Sequence, residues 1–213
     1  MKEKKYQIIY ADPPWWYASR ISRGPGTRTK FGNGAEGHYP LMKDQELRDM
    51  APAIKAITDK DAVCLMWATG PRLDFAMELM KLWGFKYSTI AYLWVKTTKS
   101  AEAEFRQPKL IASWDDFTKA LPAKGPGGYT QSNVEPVLLG RRGKSLTVKN
   151  LPHSQVIFAP RAEHSRKPAE VRERIEELFG DRPRVELFCR YPAPGWDAFG
   201  HGVDGRDIRE ALA

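Results

Sequence analysis

Apolar residues arrive along this chain in short solid runs separated by amphipathic stretches, and the two patterns alternate. Residues 6–11 (Tyr-Gln-Ile-Ile-Tyr-Ala) read as a buried strand. Asp12-Pro13-Pro14 halts it, because proline has no N–H to continue a ladder, so the next residues form a loop at the strand's carboxyl end. Leu47, Met50, Ile54 and Ile57 recur at helical spacing and predict one helix over 43–57. Ala62–Trp67 is a second strand. Pro71 suits the first turn of a helix that runs to about Trp83 and ends at Gly84. Tyr87–Val95, Pro136–Leu139, Gln155–Ala159 and Val185–Cys189 are further strands. Pro168–Phe179 is a helix turning Val171, Ile175 and Leu178 inward, and 204–212 is a closing helix. Two segments break the alternation. Residues 18–38 are rich in Gly, Arg and Ser and predict a mobile loop. Residues 97–133 form a long excursion with one short helix at 113–120, and a connection of that length points to function or disorder.

Strands alternating with helices predict an α/β fold, a mostly parallel sheet covered by helices on both faces, in a single domain over 1–213. Such sheets bind ligands at the carboxyl ends of their strands, near a switch in strand order. Composition adds a partner. The net charge is +8, and the basic residues cluster as Arg20, Arg23, Arg28 and Lys30 in one Gly-rich stretch and Arg141, Arg142, Lys144 and Lys149 in another. Loops of that composition match what phosphate-backbone contact requires. Cys64 and Cys189 lie in or at the end of apolar runs and read as buried thiols. No apolar run reaches the roughly 18 to 20 residues of a membrane span, so no membrane is expected as partner. The chain enters its first strand almost at once, with no room for a signal peptide, and the expected location is cytoplasmic. His38, His153, His164 and His201 share no metal-ligand spacing with each other or with a cysteine, so no metal site is expected. The Gly140–Ser145 stretch is two residues short of a phosphate loop and reads as a basic turn.

The informative chemistry is Asp12-Pro13-Pro14-Trp15. An exocyclic amino nitrogen on a base is a poor nucleophile because its lone pair is delocalised into the ring. Acceptors aimed at its two hydrogens fix that lone pair toward an electrophile. Asp12 offers a carboxylate, Pro13 a backbone carbonyl held out of a ladder, and Trp15 a face on which a flipped base can stack for about 1–3 kcal/mol. Trp16 and Tyr17 follow, then the basic loop. Trp67, Trp83 and Trp94 lie inside regular elements and read as core.

From here a resemblance extends over nearly the whole length. The blocks Tyr10–Trp15, His38–Met42, Leu65–Gly70, Leu82–Phe85, Leu93–Thr97, Ser165–Pro168, Glu186–Arg190 and Val203–Gly205 occur in the order found in the adenine-N6 methyltransferase family. That family includes the catalytic subunit of the eukaryotic mRNA adenosine methyltransferase and bacterial and phage relatives. The resemblance implies a Rossmann-like methyltransferase sheet using S-adenosylmethionine, and nucleic acid as partner, with DNA favoured over RNA. It implies Asp12, Pro13, Pro14 and Trp15 as the catalytic loop, with Asp12 also approaching the cofactor. Trp15, Tyr17 and Tyr39 would line the substrate pocket. Lys167 is placed near the cofactor's carboxylate, Phe188 and Arg190 around its adenosine, and His201 and Gly202 at its hydroxyls or the base. Cys189, Tyr191-Pro192 and His201 depart from the family pattern in the cofactor segment. Assembly as a homo- or hetero-oligomer is left open.

Two other readings compete. Cytosine N4 poses the same chemical problem, although Asp first and Trp fourth lean toward adenine; cytosine C5 chemistry needs a nucleophilic cysteine in a catalytic loop, where neither cysteine falls. A decayed, inactive binding subunit would have lost Asp12 or Trp15, and both are present.

Overall fold

The computed structural model describes residues 4–17, 40–99, 130, 132–149, 153–162 and 166–212. The loop expected at 18–38, most of the excursion at 97–133 and its helix at 113–120 lie outside the described residues, as do His38, Tyr39 and His164.

Seven strands form one sheet: β1 (Tyr6–Ala11), β2 (Thr58–Trp67), β3 (Lys86–Thr97), β4 (Val134–Arg142), β5 (Val156–Pro160), β6 (Arg184–Leu187) and β7 (Asp197–Phe199). Their spatial order is β5-β3-β4-β2-β1-β6-β7. The sheet is mostly parallel, as expected, but β4 runs antiparallel to both β2 and β3. β1 has β2 on one side and β6 on the other, so the strand order reverses beside it and opens a cleft past its carboxyl end.

Side-chain alternation along each strand makes the two cores. Ile9, Ala11, Cys64, Met66, Val185 and Leu187 face α1 (Asp44–Asp49), α2 (Ala51–Ile57) and α3 (Leu73–Leu82). Ile8, Tyr10, Val63, Leu65 and Trp67 face the other way, toward Val171, Ile175 and Phe179 of α4 (Glu170–Phe179). Trp67, Trp83 and Trp94 are all buried, as are the thiols of Cys64 and Cys189.

Several elements differ from the pattern-based expectation. The single helix over 43–57 is two, broken at Met50, because Pro52 starts α2 and cannot donate into a preceding turn. β2 begins four residues earlier than its apolar run and β4 extends past its own at both ends, since ladder partners hold polar residues there too. β6 stops at Leu187, short of the expected Cys189, because Phe188 turns to φ 60°. β7, three residues long, had no apolar run to reveal it. The closing helix over 204–212 is two single turns, α5 (His201–Asp204) and α6 (Ile208–Ala211), separated at Gly205 in the left-handed conformation. Among the described residues no helix is long and apolar enough to cross a membrane.

Candidate active site at the carboxyl ends of β1 and β6

β1 delivers Asp12 to the crest of the cleft. Its backbone N–H still reaches Leu187 of β6, and then the two prolines take the chain away from the sheet. Asp12 is 11% exposed and both carboxylate oxygens meet cations. Lys167 Nζ lies 3.0 Å from Oδ1, and Arg190 Nη2 donates to Oδ2. Lys167 also lies 3.4 Å from Glu135 Oε2, and Glu135 in turn accepts from Lys96. The result is a row of alternating charge, Arg190–Asp12–Lys167–Glu135–Lys96, drawn from β6, β1, the segment before α4, β4 and β3. Burial alone would push Glu135 up and Lys167 down. The opposite charges win in both cases, holding the Glu135 carboxyl below its ordinary value and the Lys167 ammonium above its own. The ammonium groups rest on aromatic faces, Lys167 over Trp67 at 5.2 Å and Lys96 over Trp94 at 5.2 Å, which ties the row to the α4-side core.

On the other side of Asp12 lies a cavity of ≈ 290 Å³, near the lower end of the roughly 300–1,000 Å³ typical of small-molecule sites. Met42, Phe188 and Ile208 supply apolar wall, and Asp12, Arg190 and His201 supply polar groups. Its floor is backbone against backbone. Phe188 in the left-handed region, a conformation costing about 1–3 kcal/mol for a non-glycine residue, bends the chain so that Arg190 returns to Asp12. Cys189 then donates to Phe199 and accepts from Gly202. A Cβ on Gly202 would meet the Arg190 carbonyl oxygen at 2.2 Å, and one on Gly200 would meet the Cys189 nitrogen at 2.4 Å.

Of the residues singled out from the sequence, Asp12, Pro14, Phe188, Arg190 and His201 line this cavity. Lys167 does not; it stands behind Asp12, between the two carboxylates. Gly202 lies under Arg190. The Pro13 carbonyl is not free, since it accepts the Trp15 N–H at 2.9 Å. Trp15 presents no open face. It is 5% exposed, edge-on to Phe75 at 5.9 Å and bridged to Met42, so it pins the Asp12–Trp15 loop to the α3-side core. Its neighbours in sequence are exposed, Trp16 at 39% and Tyr17 at 38%, and the Tyr17 hydroxyl meets Thr69 Oγ1 at 2.6 Å. Tyr39 lies outside the described residues. The basic run Arg141–Lys149 is not near Asp12 either. Antiparallel β4 carries it to the opposite end of the sheet, where Arg142 pairs with Ala62, five residues before Trp67. Glu135 and Lys96 were missed as site members. Both sit in strands whose apolar neighbours dominate the pattern, and only the antiparallel pairing of β3 with β4 brings them together.

A profile of the MT-A70 family matches residues 6–202. The chain belongs to the MT-A70 family. Type II methyltransferase M.MunI of Mycoplasma sp is 31% identical over 218 residues, covering 98% of this chain and 82% of that protein. A probable N(6)-adenosine-methyltransferase MT-A70-like protein of Oryza sativa subsp. japonica is 26% identical over 212 residues, 98% of this chain. The human N(6)-adenosine-methyltransferase catalytic subunit METTL3 is 24% identical over 203 residues, 94% of this chain. The chain spans 24% of the length of the rice protein and 29% of the human one. For this MT-A70 chain, the match therefore embraces every strand of the sheet and both sides of Asp12.

Proposed function

We propose that the protein transfers the methyl group of S-adenosylmethionine to the N6 amino group of adenine in DNA. The carrying observation is Asp12 at the switch point of the sheet, with a cavity on one side and a paired charge row on the other. DNA is favoured because the relative matched over most of its own length is a type II methyltransferase, whereas the adenosine methyltransferases are matched over a quarter to a third of theirs.

The cavity fits the cofactor by chemistry. Met42, Phe188 and Ile208 offer an apolar wall for a purine, Asp12 a carboxylate opposite a sulfonium, and Arg190 a guanidinium for an anionic group. Gly200 and Gly202 keep that floor thin. When bound, S-adenosylmethionine supplies an electrophilic methyl group.

The rest is done by the chain's own residues. Each Asp12 oxygen retains a lone pair beyond its cation, so the carboxylate can accept an N–H of the target amino group. The Pro13 carbonyl keeps its second lone pair for the other N–H. Together they orient the nitrogen lone pair, which is the positioning an amide-like amine needs. Lys167 and Arg190 hold Asp12 in place, and Glu135 with Lys96 holds Lys167. The amino group acidifies as it is alkylated, and its proton leaves through Asp12 or water. Trp16 and Tyr17, rather than Trp15, are the aromatic faces open to a flipped base.

The test is transfer of labelled methyl to DNA and separately to RNA, followed by nucleoside mass spectrometry. N6-methyldeoxyadenosine is expected. N6-methyladenosine alone would move the substrate to RNA, and N4-methylcytosine would overturn the base.

A further inference from the structure

At the end of the sheet away from Asp12, several exposed cations enter no ion pair among the described residues. Because β4 is antiparallel to both neighbours, its last residues lie beside the first residues of β2 and β3. Arg141 is the register partner of Val63 on one side and of Lys86 on the other. Lys86 and Arg141 are both exposed, and like charges directly across a ladder are destabilising. The turn that follows adds Lys144. Gly143, at φ +62°, presses this turn onto the start of β2 so closely that a Cβ would meet the Lys60 carbonyl oxygen at 2.2 Å. Lys55 closes the patch, its carbonyl accepting from Arg142.

Among the described residues, Lys55, Lys60, Lys86, Arg141 and Lys144 enter no ion pair. The nearby carboxylates serve the backbone. Asp61 Oδ1 accepts the Lys144 N–H at 2.7 Å, and Asp59 Oδ1 accepts the Asp61 N–H at 3.0 Å. They leave the cations in excess. At the Asp12 end the opposite holds, with Lys96, Lys167 and Arg190 each matched to a carboxylate. Lys86 beside Arg141, with no ion pair to either among the described residues, leaves positive charge available to an external anion.

We propose that this end is a second nucleic-acid surface, which grips phosphate backbone without reading sequence while the target base is handled at Asp12. The proposal rests on the methyltransferase reading above for its choice of polyanion. β2 spans ten residues between the two ends, roughly 30 Å at about 3.3 Å per residue. In this proposal a duplex docked over Asp12 lies across the strand direction, where it does not reach the basic end. The two surfaces hold separate segments, so a long DNA molecule is passed from segment to segment without full release.

The test uses the full chain carrying Lys60→Ala, Lys86→Ala and Lys144→Ala together. Sedimentation with a labelled duplex of about one helical turn, roughly 10 base pairs, counts duplexes per chain. The expected result is two for the unmodified chain and one for the variant. The slope of log affinity against log salt for the lost site falls by about 0.9 per removed phosphate contact. Methylation of the short duplex is unchanged, while the advantage of a long polymer over a short one disappears. The variant's melting temperature holds or rises, since repulsion between Lys86 and Arg141 is relieved. One duplex per unmodified chain, or a variant with the same stoichiometry and salt slope, overturns the proposal. Binding to phosphatidylserine vesicles by the unmodified chain with no second duplex overturns it in favour of a membrane surface. If two duplexes bind but no methyl group reaches any base, the catalytic reading fails and this surface stands.

Discussion

Asp12 is the anion between Lys167 and Arg190, and in the proposed mechanism it is also the acceptor for the target amine. Asp12→Ala abolishes methyl transfer, by about a thousandfold or more, as expected when the group acting on the reacting atom is removed; cofactor binding, read by calorimetry, survives in part. Turnover near the unmodified level would remove Asp12 from the mechanism. Glu135 acts at one remove. Its folded-state pKa is depressed, so its stabilising contribution is complete above the ordinary carboxylate value and is lost as pH falls through the depressed one. Glu135→Gln leaves Lys96 without its carboxylate and Lys167 with Asp12 alone, and costs about 3 kcal/mol at neutral pH. Gln does not titrate, so the gap in melting temperature between variant and parent narrows below about pH 4. A gap that stays constant from neutral to acid pH would mean that Glu135 is not ionised there. Trp15 and Trp16 divide the remaining work. Trp15→Ala empties a core position and lowers the melting temperature on the order of 10 °C, whereas Trp16→Ala barely moves it and weakens nucleic-acid binding instead. Thermal denaturation of the two variants side by side separates them.

At the scale of elements, the active site is a junction of strand ends whose precision depends on backbone packing between β6 and β7. Phe188 in the left-handed region and Gly202 beneath Arg190 together decide where the guanidinium points. Gly202→Ala puts a methyl group 2.2–2.4 Å from the Arg190 backbone, and no flexible side-chain end is there to yield. The turn must shift, and Arg190 with it. Cofactor affinity is expected to fall about tenfold or more, with a smaller loss of stability of about 1–3 kcal/mol. Equilibrium binding by fluorescence alongside a melting curve distinguishes the two. Affinity unchanged under a lowered melting temperature would mean that Arg190 does not depend on this turn.

For the molecule as a whole, one sheet with a core on each face buries both thiols. Cys64 and Cys189 have no exposed surface, and burial pushes the Cys189 thiol up to about 11, far from its reactive form at neutral pH. Both should react with a thiol reagent only when the sheet opens. Labelling followed by mass spectrometry is expected to give no rapid modification in the native protein and two adducts in denaturant. Fast labelling of Cys189 alone would mean that the β6–β7 junction opens locally, apart from the rest of the sheet.

How much was legible in the sequence follows from what each signal measures. Apolar runs and prolines report local preference, so β1, its stop at Asp12, the helix ending at Gly84 and the α4 helix were readable. So was the α/β class, and the candidate tetrapeptide stands out because its groups are consecutive in sequence. Local patterns carry no information about which strands neighbour each other or in which direction they run. The antiparallel course of β4 was therefore decided only by tertiary structure, and two results hang on it. It brings Glu135 beside Lys96 and Lys167, and it sends Arg141 and Lys144 to the far end of the sheet. The fate of Trp15 was decided in the same way. An aromatic after two prolines can face solvent or core, and the packing of Phe75 and Met42, distant in sequence, settled it. Chain order determines which groups exist and where strands stop; the pairing of distant strands determines which groups meet, because contact energies act through space and not along the chain.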